Sequence, residues 1–143
     1  MDALLRLASG VCGLLLLGLV QARAAPDPTA ECIAVMQTQA DELARQVRAG
    51  ETSQQPLLRA ELERAAALIG RAWLDGLHDE AEARARLKQA QDAQATLSDA
   101  ERANLHAACV KRADAELESA SGLQRFIVGR IAQARLNRLI SPQ

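Results

Sequence analysis

Apolar residues recur along most of this chain at spacings of three and four, the period of a helix with one buried face. Ile33, Met36, Ala40, Leu43 and Val47 make the first such stripe. They predict a helix over 29–49, capped by Asp27 or Thr29 and ended by Gly50. The polar stretch 51–55 reads as a loop, and Ser53 and Pro56 mark the next start, because proline is tolerated in a first helical turn. Leu58, Leu62, Ala65, Ile69 and Ala72 carry a second stripe over 56–77, widened by Leu57, Leu68, Trp73 and Leu74. Gly76 lies near its end.

Asp79, Glu80 and Glu82 open a third helix with acids where the helix dipole favours them. Glu80 with Arg84, and Glu82 with Arg86, stand four apart and pair along one side. Ala83, Leu87, Ala90 and Leu97 mark its inner face. Ser98 and Glu101 form a capping box for a fourth helix, with Leu105, Ala108, Cys109, Ala113 and Leu117 inward. Residues 119–122 read as a break. The last segment, 123–140, spreads Phe126, Ile127, Val128, Ile131, Ala134, Leu136, Leu139 and Ile140 nearly all round the helix. It reads either as a central buried helix or as one that needs a partner. Strand-like alternation is missing, so the fold class is all-α: a small antiparallel bundle of four to five helices with short connections.

The amino terminus follows another pattern. Arg6 and the free amino group precede an apolar run, 11–20, and Ala22-Arg23-Ala24 is a small-x-small cleavage pattern. That order is a secretory signal peptide, residues 1–24, leaving one domain, 25–143. The run is shorter than the ~20 residues a membrane span needs. Cys12 is not preceded by a lipobox, since Val11 is the wrong size for the last place. Fifteen of the 17 basic residues are Arg and 30 residues are Ala. With the signal, this bias suggests a Gram-negative periplasm.

Cleavage removes Arg6, Arg23 and Asp2, leaving 15 basic and 17 acidic residues, a net charge of −2. That balance argues against general nucleic-acid binding. Cys32 and Cys109 remain, an even pair in an oxidising compartment, and we expect a disulfide between the first and fourth helices. In a regular up-down bundle Cys32 would sit near one end and Cys109 mid-helix, about two turns apart in height. The bond therefore requires a kinked or displaced helix.

Candidate chemistry is sparse. His106 and Cys109 share a helix face, but zinc needs three or four ligands, and no Cys-x-x-Cys motif suggests redox work. His78 reads as a turn residue and His106 as a helix-surface one. Glu61 with Glu63, and Glu116 with Glu118, read as solvated faces. No metal or cofactor is expected. Trp73 and Phe126, the only aromatics, read first as core; as partner contacts they stand beside Arg130 and Arg138. Four arginines (Arg125, Arg130, Arg135, Arg138) and no acid follow Leu123, which makes contact with an anionic membrane surface or an acidic partner an alternative to simple dipole matching.

The expected function is non-enzymatic: a periplasmic protein that binds another protein. Leu97-Ser98-Asp99-Ala100-Glu101 is similar to the Leu-Thr-x-x-Gln motif of a family of periplasmic helical stress chaperones and metal sensors, with Ser98 and Glu101 replacing Thr and Gln and without a second copy. This raises a stress chaperone or metal-responsive sensor as one alternative. A helical inhibitor of lysozyme type is another. A chaperone should expose an apolar concave surface, a sensor should cluster ligands, and an inhibitor should present a rigid loop or helix end.

Overall fold

A computed structural model describes residues 25–141. The signal peptide expected at 1–24, with Cys12, lies outside the described residues. Five α-helices follow in order: α1 (Pro28–Arg48), α2 (Gln55–Leu74), α3 (Glu80–Gln94), α4 (Asp99–Ser119) and α5 (Gly122–Ile140), with a 3-10 turn, Thr52–Gln54, leading into α2. No strand occurs among the described residues, and the all-α bundle expected from periodicity is the fold.

The helix ends follow local chemistry. Asp27 caps α1 by accepting from the Thr29 and Ala30 amides, Asp79 caps α3, and Ser98 with Glu101 forms the expected box at α4. A second capping box, Ser121 with Gln124, starts α5 and fixes the break between the last two helices. Gly50 (φ 106°) and Gly76 (φ 100°) end α1 and α2 in the left-handed region. Each donates its amide back to the residue three earlier, and the next amide reaches five back. That pair of bonds is the Schellman stop, and it favours glycine because a Cβ is strained at positive φ.

The antiparallel hairpin of α1 and α2 is the centre of the molecule, and the other three helices lean on it. Residues Cys32, Ile33, Val35 and Met36 of α1 pack with Ala65 and Leu68 of α2 and with Cys109 and Ala113 of α4. Further along, Ala40, Leu43 and Ala44 meet Leu58 and Leu62 of α2 and Ala132 and Leu136 of α5. Ala30 and Ala34 meet Ala90 of α3, where small side chains allow close approach. Thus α3 docks on α1, and α5 on α2 and α1.

Cys32 and Cys109 are bonded, with Cα atoms 5.1 Å apart and a sequence separation of 77. The height mismatch is resolved by displacement. Alongside the bond, Arg112 of α4 donates to the Thr29 hydroxyl at the start of α1. Val35, Thr38 and Gln39 lie beside Asp99, Arg102 and His106. The first two-thirds of α4 therefore run antiparallel along the N-terminal half of α1, and its last turns pass beyond the end of α1.

Three expectations about burial are corrected. Trp73 and Phe126 are not core: they are 57% and 65% exposed. The last helix is not central, since only Ala132 and Leu136 of α5 are buried. Glu61 is not on a solvated face. It is 5% exposed, because its side chain lies under α4 and is held there by Arg64 and His106.

Candidate functional site

The C-terminal end of α2, the loop that follows it and the facing starts of α1 and α3 enclose an open cleft of about 520 Å³. Ile33, Ile69, Ala72 and Leu87 supply apolar lining, and Asp27, Asp79, Glu82 and Arg86 stand among its polar residues. Trp73 lines the same cleft, exposed, four residues after Ile69, which is also exposed, and so on the same side of α2.

The loop is held in one shape. Gly76 turns the chain, and the His78 amide donates to the Gly76 carbonyl at 3.0 Å. The His78 ring lies 4.4 Å from the Trp73 ring, centroid to centroid, tilted by 44°. Its Nε2 is 2.8 Å from the Trp73 carbonyl, so the ring donates there. Asp79 then takes the Glu82 amide at 2.7 Å. The sole tryptophan is therefore presented by a helix stop, a histidine ring tilted against it and a helix cap within seven residues, Trp73 to Asp79.

Across the cleft, Asp27 caps α1 through Oδ1 and takes Arg86 of α3 on Oδ2 at 2.8 Å. Burial alone would raise the Asp27 pKa. The Ala30 and Thr29 amides and the Arg86 guanidinium overcome it and hold the carboxyl below its ordinary value. One side chain thus joins the start of α1 to the α3 wall. The Arg84–Glu80 and Arg86–Glu82 pairs expected from their spacing are formed along that wall.

A second polar group lies under α4. Buried Glu61 accepts from Arg64 at 3.0 Å and is 3.0 Å from His106 Nε2. Arg64 continues to Asp114 of α4 at 2.8 Å, and the Asp114 bond foremost holds the guanidinium protonated. Four groups on two helices satisfy one another. The sequence hid this cluster because its members are 45 and 50 residues apart, and a Glu in a helix carries no signal that another helix will cover it. Among the described residues no three or more of His, Cys, Asp and Glu converge to hold a metal ion.

The sequence-selected partner residues divide into two groups. Trp73 lines the cleft, whereas Phe126, Arg130 and Arg138 are exposed on α5 and do not. Cys32 and Cys109 are buried in the core between α1, α2 and α4, away from both surfaces. Leu123, Ile127 and Ile131 are exposed beside Phe126. Their spacing was legible, but which side of the helix the body would cover was not. No family model, curated protein or solved structure matches this chain.

Proposed function

We propose that this chain is an exported, non-enzymatic protein that binds another protein, with its signal peptide removed after Ala24 and its helical domain working in the periplasm. The observation that carries the reading is the rigidly presented, exposed Trp73 on an apolar-lined cleft. An indole held out by a fixed loop costs little ordering on binding, and buried tryptophans dominate interface energetics. The roles of the two histidines support a binding task over catalysis. His78 positions Trp73, and His106 answers a buried carboxylate, so each has structural work.

The test is affinity capture from periplasmic extract with disulfide-intact mature protein, run beside Trp73→Ala. A discrete partner recovered by the wild-type protein and lost with Trp73→Ala supports the reading. Equal recovery by both, or recovery by neither, overturns it. Trp73 is the only tryptophan, so its fluorescence should also shift to the blue when that partner is added.

The open apolar cleft also favours a chaperone as the second reading. Its signature is suppression of aggregation of unrelated unfolded proteins by the wild-type chain and not by Trp73→Ala. Suppression without a discrete partner selects the chaperone over the dedicated binder.

A further inference from the structure

On α1 to α4 the nine arginines are engaged. Arg45, Arg59, Arg64, Arg71, Arg84, Arg86 and Arg102 pair with carboxylates. Arg48 donates to the Leu139 carbonyl and Arg112 to Thr29. Among the described residues, the four arginines of α5 make no ion pair of this kind, and the helix from Gly122 to Ile140 contains no acid. Arg125 even stands in its first turn, where a cation opposes the helix dipole. By contrast, α1, α3 and α4 all carry acids in their first turns.

The charge is matched by an apolar surface. At 100° per residue, Leu123, Ile127, Arg130, Ala134 and Arg138 lie on the side of α5 opposite buried Ala132 and Leu136. Phe126 and Ile131 flank that side. Leu123, Phe126, Ile127 and Ile131 are between 47% and 69% exposed, so the first turns of α5 present a bulky apolar face and the later turns present arginine.

We propose that this outward face of α5 docks onto an anionic phospholipid membrane. The apolar first turns enter the boundary between headgroups and acyl chains, while Arg130 and Arg138 reach the phosphates, their aliphatic stems lying along the apolar surface. Charge complementarity selects this occupant. Helix α5 carries +4, and the rest of the mature chain, with 11 basic and 17 acidic residues, carries −6. A negative surface attracts α5 and repels the remainder, which orients the domain. A second copy meeting this face with its own would bring four arginines together, Arg130 and Arg138 from each chain, with no acid on either helix to answer them. Docking here is peripheral, since no helix among the described residues is long and apolar enough to cross a membrane. The Trp73 cleft is separate from this face.

The experiment is flotation of the mature, disulfide-intact protein with vesicles of phosphatidylcholine alone or of phosphatidylcholine and phosphatidylglycerol in equal amounts. The protein should float with the anionic vesicles only, and added salt should release it as the Debye length shrinks. An arginine near an anionic surface is worth about a fivefold change in affinity, so Arg130→Gln with Arg138→Gln should weaken binding about 25-fold. Phe126→Ser should weaken it as well. All three side chains are exposed, so the circular dichroism and melting of these variants should match the wild type. Failure to float with anionic vesicles at low salt overturns the proposal, as does equal flotation of the double-arginine variant. A dimer in sedimentation velocity that Phe126→Ser dissolves, without anionic flotation, overturns it and gives the face to a second copy.

Discussion

Asp27 serves as helix cap, as ion-pair partner and as one wall of the cleft. Removing it in Asp27→Ala loses a cap worth about 1 kcal/mol and a partly exposed pair worth less than that. The denaturant midpoint should fall accordingly. Its pKa is lowered from the ordinary 3.8 in the folded state. Its contribution is thus fully present above the unfolded value and is lost as the pH falls through the folded one. Asp27→Asn should therefore flatten the acid limb of the stability curve, while above pH 7 it lowers stability by a constant amount and leaves the pH slope unchanged, read by thermal melts across the pH range. Glu61 is the other residue whose role depends on its surroundings. Glu61→Ala should cost about 1–2 kcal/mol, because Arg64 and His106 lose their shared acceptor while Arg64 keeps Asp114. A cost near zero in urea unfolding would mean that Arg64 and His106 find water instead.

At the scale of elements, the stop of α2 and the bond between α1 and α4 carry the architecture. Gly76→Ala places a Cβ at φ 100°, which costs about 1–2 kcal/mol. The strain should also loosen His78 from Trp73, seen as altered quenching of the single tryptophan by acrylamide. The disulfide closes a separation of 77 residues, worth about 4 kcal/mol in the chain-entropy description. Reduction, or Cys109→Ser, should lower the melting temperature by several degrees while helix content at room temperature mostly persists. Hydrogen exchange should then rise first in α4. That helix is held chiefly by Cys109, Ala113 and the Glu61 group, and its Ala108 and Ala115 faces are open to solvent. Two alkylatable thiols in freshly isolated protein would refute the bond in the cell.

For the whole molecule, the distribution of surface matters more than its amount. Among the described residues, eight large apolar side chains are exposed. They fall mainly at the C-terminal end of α2 and the first turns of α5, while the opposite halves of both helices are packed around Leu58, Leu62, Ala132 and Leu136. Exposed apolar residues scattered singly need no explanation, but clusters of this kind mark interaction sites. Exported protein should begin at Ala25 on N-terminal sequencing, and a secreted form starting at Met1 would refute the signal peptide. Mature protein should give a helix-dominated circular dichroism spectrum.

Sequence alone determined the helices, most of their ends and the all-α class, because those follow from contacts within four residues: stripes at three and four, Asp27 or Thr29 at the first helix, acids from Asp79 opening the third, Ser98 with Glu101, and glycine stops. It also indicated the disulfide, since the two cysteines left after the expected cleavage have one pairing in the oxidising compartment that the signal implies. Tertiary structure decided which face of each helix the body covers. Trp73 and Phe126 lie on apolar stripes like those of Leu58 and Leu62, yet are left open, because α5 covers one half of the α1–α2 hairpin and α4 is displaced toward the other. The same displacement buries Glu61, brings His106 to it across 45 residues and brings Asp114 to Arg64 across 50. Periodicity records that a helix has an apolar side; only the placement of its neighbours determines how much of that side is left for a partner.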